Sequence, residues 1–192
     1  RCSLLPAGAV MPIQLSVRAI RLAVISEGTN LWPLYVAEAS GLFERESVAV
    51  ETTLTGSSVQ QLEQLIKGDY DIGFQQSDHV VRAVENGSEL FTFMSFAHAP
   101  ELSLVVAPGI GSFADLKGKI IAVDGARTGY ALLLRKLLAG KGYKDNDYAL
   151  QETGGSRERY DAMKSGMASA SLLNPPFDRN LIAAGFRSLG TS

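Results

Sequence analysis

The sequence predicts an α/β protein arranged as two lobes, on three observations. From residue 20 onward short aliphatic runs alternate with segments of helical period, and each switch is marked by a glycine or a capping residue. Ala97-His98-Ala99-Pro100 interrupts that alternation near the middle of the chain, where proline holds its predecessor extended. The same strand-then-helix grammar resumes after it. The expected organisation is therefore an export-signal remnant over residues 1–19, lobe one over 20–98 and lobe two over 99–192.

In lobe one, residues 20–25 are apolar enough for a buried strand, and Thr29, Asn30 and Pro33 supply a polar cap and a first-turn proline for a helix that Gly41 ends. Residues 48–54 read as the second strand. Ser58 and Gln61 have the spacing of a capping box ahead of a helix with Val59, Leu62, Leu65 and Ile66 on one face, closed by Gly68. Residues 71–74 are the third strand. Ser77 or Asp78 then caps a short helix carrying Val80, Val81 and Val84, and Asn86-Gly87 stops it.

Residues 90–96 and 102–107 are extended runs on either side of the crossover. In lobe two, Ser112 caps a helical turn and residues 119–123 form a strand. Thr128 opens a helix with Tyr130, Leu133, Leu134, Leu137 and Leu138 on one face. Residues 148–152 are a strand, and Ser156 caps a helix that turns Tyr160 and Met163 inward. Residues 168–173 are a strand, Asn174 caps a helix with Pro175 in its first turn, and residues 186–189 begin one more strand.

Composition excludes several classes. With 46% hydrophobic and 20% charged residues and a formal charge of -2, the chain is globular and lacks the basic stripe that nucleic acid requires. Cys2 is the only cysteine, so no internal disulfide or multi-cysteine metal site forms. Arg1, the loosely apolar residues 4–11 and Val17-Arg18-Ala19 have the order of an export signal.

Phe113-Ala114-Asp115-Leu116-Lys117-Gly118-Lys119-Ile120-Ile121-Ala122-Val123 resembles the opening of the second lobe in periplasmic substrate-binding proteins of ABC importers, in the branch handling sulfonates, nitrate and thiamine precursors. Pro33-Leu34-Tyr35-Val36-Ala37 through Gly41-Leu42-Phe43, and Gly68-Asp69-Tyr70-Asp71-Ile72-Gly73, are similar to that family's first lobe. The resemblance implies a two-lobed, type II periplasmic-binding-protein-like fold. In the family the chain returns to lobe one after lobe two, and here that return is missing, which implies an uncovered face and self-association.

Open α/β sheets bind ligands beyond the carboxyl ends of their strands, where helix N-termini present unpaired N–H groups. The candidate ligand residues are Thr29, Asn30, Trp32, Gly56, Ser57, Ser58, Gln76 and Ser77 from lobe one, His98 from the crossover, and Arg127, Thr128 and Asn174 from lobe two. Ser57, Ser58, Arg127 and Thr128 are expected to converge on one anionic group, although helix capping alone also accounts for Ser58, Thr128, Ser156 and Asn174. His79 reads as structural or exposed. Neither histidine sits in a ligand-spaced cluster, and G-x-S-x-G, P-loop and H-E-x-x-H motifs are absent, so no catalytic residue, metal or cofactor is expected.

The resemblance thus implies a periplasmic solute-binding protein that captures a small organic anion or related small molecule and docks on an ABC permease of the inner membrane. An enzyme of thiamine-pyrimidine or menaquinone biosynthesis on the same scaffold is the alternative.

Overall fold

The computed structural model describes residues 19–95, 97 and 101–191, so the expected export signal, His98 and the 98/99 boundary lie outside the described residues. Two sheets are present. The first has strands β1 (Ala19–Val24), β2 (Ala49–Leu54) and β3 (Ile72–Phe74) in the order β2-β1-β3, all parallel. Helices α1 (Trp32–Ala39), α2 (Leu42–Arg45), α3 (Ser58–Lys67) and α4 (Ser77–Glu85) connect and follow these strands. Its core is Leu22, Val24, Leu31 and Leu34, with Phe43, Val50, Ile72 and Phe74 packed against them. Gly73 is required by the packing of α3 on β3: a Cβ there would lie 2.3 Å from Leu65 Cδ1.

The second sheet has strands β4 (Ser103–Val106), β5 (Ile120–Val123), β6 (Ala149–Glu152), β7 (Ala170–Leu173) and β8 (Arg187–Thr191) in the order β6-β5-β7-β4-β8. β5 runs parallel to β6 and β7, while β4 is antiparallel to β7 and β8. The inner strands β4, β5 and β7 are covered on both faces, which is why they read as largely apolar runs, whereas β6 and β8 at the edges are more polar and more exposed. Leu104, Val106, Ile121, Val123, Ala170 and Leu172 face helix α5 (Gly129–Ala139), meeting Ala131, Leu134 and Leu138. Val105, Ala122 and Leu173 face α6 (Ser156–Lys164) and α7 (Phe177–Ala183), meeting Ala162, Met163, Phe177 and Leu181. Ser171 is the buried exception on β7, and its hydroxyl donates to the Ala122 carbonyl at 3.0 Å.

Several local expectations are corrected. The described residues of 90–96 join neither sheet, and Phe91, Phe93 and Met94 are exposed. The N-cap of α3 is Ser57, which accepts from the Gln60 N–H at 3.3 Å, so the Ser58–Gln61 capping box does not form and Gln61 is buried. Gln76, not Ser77 or Asp78, is the N-cap of α4. Gly155 precedes α6 in place of Ser156, and Pro176 precedes α7 in place of Asn174. In each case the polar side chain expected to cap has another partner, or another position, at the cleft.

A polar cleft between the two sheets

The carboxyl ends of β1 and β3 and those of β5 and β7 border one cavity of about 810 Å³. Ile25, Leu31, Phe74, Met94 and Leu102 give it apolar walls, Trp32 and Tyr130 aromatic ones, and Asn30, Gln75, Gln76 and Asn174 amides. This mixture of apolar wall and few polar groups suits a small organic ligand.

The cleft is fastened across its width by hydrogen bonds in both directions. Ser58, first residue of α3, donates from its hydroxyl to Asp124 Oδ2 at 3.1 Å. Asp78, in the first turn of α4, reciprocates by accepting the Gly129 N–H of α5 at 2.8 Å. The Gly155 N–H donates to the Gly56 carbonyl at 2.8 Å, and the Thr29 N–H to the Pro175 carbonyl at 3.3 Å. Arg157 donates from Nε to Glu27 Oε1 at 2.8 Å. Two of these approaches depend on glycine. A Cβ on Gly129 would lie 2.7 Å from Asp78 Oδ1, and one on Gly154 would lie 2.8 Å from the Gly56 carbonyl oxygen.

Behind the cleft lies a buried charged network. Arg159 is only 2% exposed, its Nη1 lies 3.6 Å from Asp124 Oδ1, and its Nη2 donates to Ser156 Oγ at 3.0 Å. Ser156 in turn donates to Asn174 Oδ1 at 2.5 Å, and the guanidinium sits 5.4 Å from the centre of the Tyr130 ring. Burial lowers the Arg159 pKa and Asp124 opposes it; an arginine so placed stays protonated. Thr128 adds a hydroxyl bond to Asp124 Oδ1 at 2.6 Å, so this carboxylate gathers Ser58, Thr128 and Arg159. His79 lines the cavity, and burial outweighs the pull of Asp78 to depress its pKa, which keeps the ring neutral at pH 7. Among the described residues, no group of three or more His, Cys, Asp or Glu is placed to hold a metal.

The NMT1/THI5-like family model matches residues 28–173. The chain belongs to the NMT1/THI5-like family. The match runs from β2 through β7, with strands of both sheets, and leaves out β1 and β8. Solved structures of the same fold include a Bordetella bronchiseptica protein, with TM-score 0.75, 23% identity, and coverage of 89% of this chain and 56% of that one. The alkanesulfonate-binding protein SsuA of Xanthomonas axonopodis pv. citri, solved bound to MOPS, has TM-score 0.71 at 21% identity, covering 90% of this chain and 60% of SsuA. The periplasmic nitrate-binding protein NrtA of Synechocystis has TM-score 0.69 at 14% identity, covering 92% and 52%. The chain thus spans somewhat over half the length of these proteins. These likenesses make the fold that of type II periplasmic binding proteins. No match exists among curated proteins.

In this NMT1/THI5-like chain, Thr29, Asn30, Trp32, Ser58, Gln76, Ser77 and Asn174 line the cavity. Gly56 contributes a cross-cleft carbonyl, and Ser57 and Thr128 cap α3 and α5. Arg127 does not join them: it is exposed and absent from the cavity wall. The expected four-residue anion clamp is therefore corrected, because the carboxylate that Ser58 and Thr128 meet is the protein's own Asp124. The buried guanidinium at the cleft is Arg159, hidden from sequence reasoning inside Ser156-Arg157-Glu158-Arg159, which reads as a solvated charged face. Its position two residues after the half-exposed Arg157 was the available signal, since helix positions two apart point to different faces. His79 is buried at the cavity rather than exposed.

Proposed function

We propose that this chain is the ligand-capturing part of an extracytoplasmic solute-binding protein, which holds a small organic molecule between its lobes and delivers it to an ABC permease in the inner membrane. The observation that supports this most strongly is the cavity of about 810 Å³ shared by the ends of two separate sheets, with reciprocal bonds from Ser58 to Asp124 and from Gly129 to Asp78 across its mouth. Such contacts favour a closed arrangement that a ligand stabilises by touching both lobes at once. Membership of the NMT1/THI5-like family and the fold of SsuA and NrtA agree with this role.

A thermal-shift screen of small amines, alcohols, sulfonates, carboxylates and heteroaromatic compounds tests the proposal. A true ligand at a hundred times its dissociation constant adds about 2.7 kcal/mol to stability. Mass spectrometry of the released compound then separates binding from turnover. Recovery of the ligand unchanged supports the binding role, and chemical conversion of it points to an enzyme instead.

A further inference from the structure

Three charged side chains that meet the opposite lobe, Asp78, Asp124 and Arg157, are also held inside their own. Asp78 of α4 accepts the Gly129 N–H at 2.8 Å through the oxygen that pairs with Arg82, one turn on in the same helix, at 2.7 Å. Asp124, just after β5, accepts from Ser58 through Oδ2 at 3.1 Å. Its Oδ1 takes the Thr128 hydroxyl at 2.6 Å and faces Arg159 at 3.6 Å, both within lobe two. Arg157 of α6 donates from Nε to Glu27 at 2.8 Å, and its guanidinium lies 4.9 Å from the centre of the Phe177 ring and 5.7 Å from that of Tyr160, again within lobe two.

When the lobes part, these three groups keep their own-lobe partners. Breaking a buried pair is costly because it leaves an ion uncompensated, and here the buried carboxylates retain a cation on either side of the opening. Opening gives up hydrogen bonds across the cleft without stranding a charge. Closing needs little reordering of these side chains, since each is already held near its place.

The lobes also differ as wholes. Residues 19–95 carry four Lys and Arg against eleven Asp and Glu, whereas residues 101–191 carry twelve against nine, so a lobe of net charge -7 faces one of net charge +3. Opposite net charges attract across an open cleft within the reach of the Debye length, about 10 Å at 0.1 M salt, and added salt screens them.

We propose that the lobes carry a preset electrostatic latch, which holds part of the population closed before any solute arrives and which ionic strength regulates. Solute affinity then follows the closed fraction, because a ligand that needs the closed form is weakened in proportion to the chains that are open. The role of the latch rests on the solute-binding reading, but the latch itself is measured without solute.

The test is single-molecule fluorescence energy transfer in the full chain carrying Cys2→Ser, between dyes on Ser40→Cys in lobe one and Asn146→Cys in lobe two, both exposed and uncharged positions. Without solute, a high-transfer and a low-transfer population are expected, and the ratio of closed to open chains should fall about fivefold between about 20 and about 500 mM salt. Ser58→Ala should lower the ratio about tenfold at low salt, through loss of a bond to a charged acceptor. Glu27→Arg, which sets two cations against each other at a partly exposed pair, should lower it about threefold, and adding Arg157→Glu should restore it. That rescue separates a latch from a variant that merely misfolds. A ratio that salt, Ser58→Ala or Glu27→Arg leaves unchanged, or that the charge reversal does not restore, would overturn the inference. If the latch fails while the ligand screen yields a binder, the solute-binding reading stands; if the screen is silent while the ratio responds as described, that reading falls and the latch remains.

Discussion

Lobe two and lobe one hold their sheets by different means. Among the described residues, lobe two contains clusters of thirteen and eight buried hydrophobic residues, one on each face of its sheet, whereas lobe one has a single cluster of four. In lobe one, residues 51–54 of β2 are exposed. The difference teaches where each lobe's order comes from. Lobe two is a platform fixed by its own core, and lobe one depends more on the bonds it makes across the cleft.

Breaking the platform should have the largest effect. Leu134 is fully buried between α5 and its sheet, so Leu134→Ala is expected to cost about 3–5 kcal/mol in denaturant unfolding. Gly129→Ala attacks the cleft instead. The added methyl collides with Asp78 and displaces a charge-assisted bond, so the interlobe contact should lose about 1.5–3 kcal/mol. The lobe-two core should remain intact, visible as unchanged amide exchange protection in β5 and β7. Leu34→Ala in lobe one is expected to cost about 2 kcal/mol, the low end for such a change, because few neighbours surround it.

The pH response is smaller and has a definite sign. His79 is buried beside Asp78 and Arg82, near enough to Asp124 to feel it, and its pKa is depressed chiefly by burial. The unfolded chain therefore takes up this proton first. The contribution of neutral His79 is fully present above pH ~6.5 and is lost as pH falls below that value, with a slope no steeper than about 1.4 kcal/mol per pH unit. His79→Gln should flatten that part of the stability profile. Arg127→Ala should do least, changing stability by no more than about 0.5 kcal/mol and leaving ligand affinity unchanged, as expected for an exposed arginine outside the cavity wall.

The asymmetry between the lobes also governed what the sequence disclosed. The α/β alternation and helix faces such as Leu134 and Leu138 were legible because burial imposes a period on apolar residues. The loops at the cleft were legible as strand ends, which located Thr29, Asn30, Ser58 and Asn174. The roles of individual side chains were not. A shift of one residue in the cap, from Ser58 to Ser57, left Ser58 to reach Asp124, 66 positions away. Arg159 and Asp78 were missed for the same reason: each is defined by partners that folding brings from distant parts of the chain.

The interlobe distance tests the central claim most directly. With Cys2 replaced by serine, spin labels on cysteines introduced at exposed Glu38 in lobe one and exposed Lys136 in lobe two report it by double electron–electron resonance. A ligand found in the screen should narrow the distribution to a single short distance in the native chain, and Gly129→Ala should need more ligand to reach the same state. A distribution that is identical with and without saturating ligand would contradict capture by closure of two lobes.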